Sequence, residues 1–207
     1  NLSDNINSCQ AYISEEEFCQ RHPKYKDLYE KVKEAVKQTR GEIMIYNDEP
    51  IDALYHSTCG GQTESSCNVW GKNVSYLSSV QCRYCKQSRH YETIQVFSVQ
   101  DFTTSLGVNN SQPQVKISEN TPGGRVKTVK INDKELSGEK LRRILGLPST
   151  WCDFKVNAEQ VKIKSRGYGH GLGLCQYGAN GMALSGKTYR QILKHYYKGI
   201  EFSQLNY

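Results

Sequence analysis

Between residues 24 and 40 apolar side chains return every three to four positions, at Tyr25, Leu28, Val32, Ala35 and Val36, with charged residues between them. That spacing lines one face of an α-helix. The His22-Pro23 step marks its start, because the residue before a proline avoids helical geometry, and Gly41 ends it. Alternating apolar positions over 42–46 and 51–56, on either side of Asn47-Asp48-Glu49-Pro50, predict a β-hairpin. Residues 57–70 have no period and read as a loop. Further on, 94–99 predicts a strand, 101–106 a short helix and 109–124 a polar connection. Residues 126–131 alternate as a strand, Asn132-Asp133 turns into 134–136, and Ser137 caps a helix over 138–145 that stops at Gly146 with Pro148 beyond. Residues 154–156 and 161–164 suggest a second hairpin. Helices over 176–184 and 188–197 follow, divided by Gly186. Helices and hairpins in mixed order, with no internal repeat, argue one α+β domain over residues 1–207.

Composition narrows this picture only modestly. With 207 residues, 37% hydrophobic and 23% charged, the chain is long enough and apolar enough to bury a core. No apolar run approaches the roughly 18 residues that span a bilayer. The net charge of +6 is scattered. No helix carries a continuous basic face and no nucleic-acid signature is present, so the surface reads as solvated and nucleic acid is not an expected partner. Asn1, with neither an initiator methionine nor a signal segment after it, suggests a processed or trimmed piece of a longer product.

Two segments stand apart: His56-Ser57-Thr58-Cys59-Gly60-Gly61-Gln62-Thr63, and the run from Gly167 to Ala179, GYGHGLGLCQYGA. Each follows a predicted strand. In the second, alternate glycines permit close backbone approach or positive φ, and His170 is the side chain there that titrates near neutral pH. The pattern suits a ligand site, or equally a tight packing of the C-terminal helices on a sheet. The eight cysteines are unevenly spaced. Cys82-Arg83-Tyr84-Cys85 has the two-residue spacer that brings two thiolates to one metal, with Cys59, Cys67, His56 and His90 as candidates to complete a tetrahedron. The set Cys59, Cys82, Cys85 and Cys67 is the expected metal site. Disulfides among these cysteines, or plain buried thiols, are the alternatives, and Cys175 reads as a buried free thiol.

Taken together, the two glycine-rich blocks resemble the stage II sporulation protein D family, the SpoIID/LytB family of peptidoglycan-cleaving proteins. The resemblance covers the first helix and hairpin, HSTCGGQT, Val69-Trp70 with Tyr76-Leu77, GYGHGLGLCQYGANGMA and ILKHYYKG. It implies a SpoIID-like fold of helices and hairpins around a substrate groove. It also implies a lytic transglycosylase that cuts glycan strands after N-acetylmuramic acid and leaves 1,6-anhydro ends, in sporulation- or division-type wall remodelling. One carboxylic acid suffices: it protonates the glycosidic oxygen and then, as carboxylate, takes the proton of the sugar's C6 hydroxyl. No cofactor is required, and a structural zinc is the one metal expected.

The family's catalytic Glu opens an Ala-rich helix upstream of the part that matches Ser8-Cys9-Gln10-Ala11-Tyr12, and that segment is expected before Asn1. The catalytic residue therefore stays unassigned. Glu15, Glu16 and Glu17 read as a helix start, and Glu64 is the best local acid. Some family members carry a Cys/His zinc site near Cys9, but Ser3 and Ser8 stand where its companions would be. The expected groove residues are His56, Ser57, Thr58, Gln62 and Thr63 from one block and His170, Gln176 and Tyr177 from the other, offering hydroxyls, amides and an aromatic face to sugar groups. The implied partners are peptidoglycan glycan strands, and further other cell-wall hydrolases or a membrane-anchored recruiting protein. The implied location is extracytoplasmic, in the wall or membrane-anchored through an N-terminal segment. A non-catalytic wall-binding module and a zinc-stabilised interaction protein are the rival readings.

Overall fold

The computed structural model describes residues 12–108 and 112–205, so the Ser8-Cys9-Gln10-Ala11 match lies outside the described residues. The chain divides into two compact units, one made of residues up to Ile43 with those from Phe202 onward, the other Met44–Glu201.

In the first unit, α1 (Glu15–Arg21) starts at Ser14, whose hydroxyl accepts the Glu17 N–H at 3.2 Å and whose first turn carries all three predicted acids. The long amphipathic pattern becomes α2 (Lys26–Gln38), preceded by a 3₁₀ turn at Pro23–Tyr25. Phe18 of α1 meets Tyr29 of α2 at 5.4 Å between ring centroids. The predicted stripe is there, but within its own unit Leu28, Val32 and Val36 stay exposed. Strand β1 (Glu42–Tyr46) begins here, and near the chain's end the Leu205 N–H donates to the Gly41 carbonyl at 2.8 Å.

The second unit opens with the tight turn the sequence predicts. Asn47 and Asp48 both take positive φ, 52° and 64°, which favours Asn and Asp among non-glycine residues. The hairpin is shorter than expected: β2 is only Glu49–Pro50, with Ile45 opposite Pro50 and Tyr46 opposite Glu49. Residues 51–56 are not one strand, since β3 (Tyr55–His56) leaves to pair in parallel with Leu174–Cys175 far along the chain. Alternation reports which face a side chain takes; it does not report which strand lies beside it.

After α3 (Ser66–Trp70), the chain forms β4 (Glu92–Ser98), α4 (Val99–Leu106), β5 (Val115–Asn120), β6 (Val126–Ile131), β7 (Lys134–Ser137), α5 (Gly138–Leu145), β8 (Cys152–Val156) and β9 (Gln160–Arg166). These make two antiparallel sheets, β4-β9-β8 and β5-β6-β7. Phe102 and Leu106 of α4, Leu141 and Leu145 of α5, Val129 and Ile131 of β6 and Val161 and Ile163 of β9 bury one shared core. At about 1.5–3 kcal/mol for each fully buried aliphatic or aromatic side chain, this cluster anchors the unit. Strand β5 corrects the expectation of a polar connection over 109–124. It is an edge strand with a bulge near Glu119 and mostly exposed residues, so only Val115 and Ile117 betray it. Ser137 caps α5 by accepting the Lys140 N–H at 3.2 Å, and Gly146 closes it at φ 60°.

The chain ends with β10 (Leu174–Cys175), α6 (Gln176–Leu184), α7 (Tyr189–Tyr196) and β11 (Glu201–Gln204). The architecture is α+β, with helices and several small sheets. Among the described residues no helix is long and apolar enough to cross a membrane.

Candidate functional site

The two glycine-rich blocks are stitched together by backbone hydrogen bonds. Beyond the β3–β10 pair, Thr58 and Tyr168 exchange N–H···O bonds of 3.1 and 2.7 Å, the Glu64 N–H reaches the Gly171 carbonyl at 2.8 Å, and the Tyr177 N–H reaches the Ser57 carbonyl at 3.1 Å. Such close approach needs a bare backbone. At Gly173, with φ +65°, an added Cβ would stand 2.0 Å from the Leu54 carbonyl oxygen.

The same stitching fixes both histidines. His56 is buried and its Nδ1 lies 2.9 Å from the Leu172 carbonyl, so Nδ1 carries the proton there. Burial, with His170 and Arg125 nearby, pushes its pKa down to about 3 against the opposing pull of that carbonyl. His170 takes the other tautomer. Its Nδ1 accepts the Leu172 N–H and its Nε2–H donates to the Tyr55 carbonyl, each at 3.0 Å. Burial lowers its pKa also.

Both imidazoles are therefore neutral in the folded chain, while in the unfolded chain they titrate near 6.5. Their contribution is fully present above pH 6.5 and lost as pH falls, down to about 3 for His56. We expect stability to drop below pH 6.5 by up to about 1.4 kcal/mol per pH unit for each group, and His170→Gln to flatten the profile in part. Urea midpoints measured from pH 7 to pH 4 check this; identical slopes for wild type and variant would refute it.

A buried ion pair lies beside the histidines. Glu64 accepts the Ser65 N–H (2.8 Å) and the Asn68 amide (2.7 Å) on Oε1, and the Thr121 hydroxyl (2.5 Å) on Oε2. Arg125 Nη1 is 3.8 Å from that second oxygen, and both side chains are at most 3% exposed. Arg125 Nη2 also donates to the carbonyls of Cys59 and Gln62 at 3.0 and 2.9 Å, and the guanidinium lies 5.3 Å over the Trp151 ring. Burial lowers the Arg125 pKa and Glu64 opposes it. Both oxygens of Glu64 are thus engaged by donors. A cavity of about 250 Å³ opens here, lined among others by Asn68, Thr121, Arg125, Lys127, Thr150 and His170.

The predicted groove residues fall in different places. His170 lines this cavity. Thr58 turns inward to the Ser88 hydroxyl (2.6 Å), Thr63 to the Val80 N–H (2.9 Å) and Gln62 to the Ser79 hydroxyl (2.9 Å). Ser57 and Tyr177 are half-buried and Gln176 is exposed. Arg125, Thr121 and Lys127 went unnoticed in the sequence because they sit on and before an ordinary-looking strand.

Behind the stitched blocks lies a group of thiols. Cys59, Cys82, Cys85 and Cys175 are buried, and their sulfurs all lie within 4.8 Å of one another, an arrangement that could hold a metal ion. This corrects the expected set: Cys67 is exposed on α3, and Cys175 from the second block takes its place. His90 is turned elsewhere, against the Tyr168 ring at 4.6 Å between centroids with the planes tilted by 39°. The cysteines at 19, 59, 67, 82, 85, 152 and 175 are all free thiols. Hydrogen bonds from Cys175, Cys59 and Cys85 hold the Cys82 thiol far below the ordinary range, and the matching donor role pushes Cys59 up.

The class of protein these pieces define is an α+β domain in which two glycine-rich blocks are paired through their backbones, with a small cavity beside them that His170 reaches. No family model matches the chain. It is 38% identical over 206 residues to stage II sporulation protein D of Bacillus subtilis (strain 168), covering 98% of this chain and 60% of that protein. It is 39% identical over 182 residues to stage II sporulation protein D of Bacillus amyloliquefaciens, covering 87% of this chain and 53% of that protein. The amidase enhancer of Bacillus subtilis is 29% identical over 221 residues, with 80% of this chain and 31% of that protein covered. The chain is thus a relative of stage II sporulation protein D, similar to it across most of its own length, and it spans 53–60% of the length of these two relatives.

Proposed function

We propose that the chain forms the larger part of a peptidoglycan lytic transglycosylase acting outside the cytoplasm in wall remodelling. The observation that carries this reading is the 38–39% identity to stage II sporulation protein D over most of the chain. The cavity chemistry supports it. Hydroxyls of Ser137 and Thr150 and the Asn68 amide oxygen suit sugar hydroxyls and N-acetyl groups.

The reaction needs one carboxylic acid beside the glycosidic oxygen. Both carboxylates that line the cavity have other engagements: Glu64 with its three donors, and Glu139 with Arg142 Nη1 at 3.3 Å in the first turn of α5. In this reading the acid comes from the part of the relatives' length that the match does not cover, and the chain supplies the binding walls. The thiol cluster holds a structural zinc and takes no part in bond cleavage.

A second reading, a wall-binding module without catalysis, draws on the same engagement of Glu64. The name of the amidase enhancer adds that a relative assists another enzyme, which favours cell-wall hydrolases as partners. The deciding experiment incubates this chain, and a form extended upstream, with purified peptidoglycan and looks for 1,6-anhydro-muramic products by mass spectrometry. Products from the extended form alone are expected. No product from either form, with both retained on sedimented peptidoglycan, replaces the enzyme reading with the binding module.

A further inference from the structure

We propose that Cys59, Cys82, Cys85 and Cys175 hold one zinc ion as a clasp that fastens the two glycine-rich blocks to each other, so that metal occupancy decides whether the two blocks stay paired. The proposal rests on the zinc reading above and is independent of the glycan-cleaving one.

Geometry comes first. Four sulfurs within 4.8 Å of one another surround a single point, and the Cys59 and Cys85 sulfurs are 3.5 Å apart. A tetrahedral site with zinc–sulfur bonds of about 2.3 Å has sulfur–sulfur edges of about 3.8 Å. A four-sulfur tetrahedron selects zinc or iron among common ions, and a closed site with no open position is the structural form for zinc.

The second observation is the support around the sulfurs. Cys59 N–H donates to Cys175 Sγ at 3.2 Å, Gly61 N–H to Cys59 Sγ at 3.4 Å and Gly178 N–H to Cys175 Sγ at 3.3 Å. The buried Tyr196 hydroxyl is 3.1 Å from Cys82 Sγ, placed to donate to a thiolate. Donors of this kind stabilise metal-bound thiolates. Cys175 is also the N-cap of α6, where the helix dipole favours negative charge. Four thiolates around Zn²⁺ carry a net charge of −2, and the Arg125 guanidinium, bonded to the Cys59 carbonyl, stands nearby to offset it. The fit extends to Gly178, where an added Cβ would lie 2.4 Å from Cys82 Sγ and 2.1 Å from the Tyr196 oxygen.

The third is connectivity. Cys59 belongs to the first block, Cys175 to the second, and Cys82 and Cys85 to a knuckle whose Cys82 N–H bonds the Gly61 carbonyl at 2.9 Å. One ion thus closes loops across more than a hundred residues, and metal binding is folding energy for such loops.

The test uses the 207-residue chain, purified without chelator, with metal content by mass spectrometry and amide hydrogen exchange before and after chelation and zinc re-addition. We expect about one zinc per chain, retained in Cys67→Ser and lost in Cys175→Ser. Chelation is expected to raise exchange at least tenfold over residues 57–63 and 171–178, reversed by zinc, while the amides of β6 and β9 hold their protection and report that the core stays folded. Absence of metal from the wild type, iron in its place, or a full zinc in Cys175→Ser overturns the zinc site itself. Bound zinc whose removal leaves exchange in both blocks unchanged overturns the clasp alone.

Discussion

Arg125→Met is expected to destabilise the second unit by about 3–5 kcal/mol, the usual cost of leaving one partner of a buried ion pair alone. The substitution strands the Glu64 carboxylate at 1% exposure, and it removes donors from the Cys59 and Gln62 carbonyls. Methionine keeps much of the volume, so the loss reads as charge and hydrogen bonding more than as a cavity. Glu64→Gln alone leaves the guanidinium without its counter-charge. The double variant Glu64→Gln/Arg125→Met is therefore expected to cost less than the sum of the two by at least about 1 kcal/mol. Urea unfolding of the four proteins measures this cycle. A loss under 1 kcal/mol for Arg125→Met, or strict additivity, would show that the pair holds nothing in place.

Gly173→Ala should be nearly as damaging, at about 3–4 kcal/mol, from left-handed backbone strain of about 1–2 kcal/mol plus two hydrogen bonds lost at about 1 kcal/mol each. Its Cβ would fall on the Leu54 carbonyl oxygen, which accepts both the Leu174 N–H at 3.0 Å and the Tyr197 hydroxyl at 2.6 Å. Moving that oxygen breaks the entry to the β3–β10 pair. Gly186 supplies the control, since its φ is +83° but nothing lies within 4 Å of an added Cβ. Gly186→Ala should therefore show the backbone term alone, about 1–2 kcal/mol. Thermal or urea unfolding of the two variants side by side decides the matter; equal losses would mean that the close approach at Gly173 costs nothing.

Much of the sheet-and-helix core was legible from spacing. The Ser137 cap, the Gly146 stop and the Asn47-Asp48 turn all follow from rules that act within a few residues, and the structure keeps each of them. Strand β5 escaped because an exposed edge strand with a bulge has little apolar alternation to show. The expected strand over 51–56 failed for a different reason. Its two ends serve different neighbours, and one of those neighbours is set by a contact far along the chain.

The candidate site shows the same division more sharply. By itself the sequence determined that the two glycine-rich blocks were special, that Cys82 and Cys85 have the two-residue spacing of a metal knuckle, and that the chain resembles stage II sporulation protein D. Only the tertiary structure decided that Cys175, not Cys67, joins that knuckle, that Arg125 faces Glu64, and that His56 and His170 hold opposite tautomers. The physical reason is distance along the chain. His56 meets Leu172 across 116 residues and Arg125 meets Cys59 across 66, and such pairings are fixed by which strands lie side by side, a choice that no local period encodes.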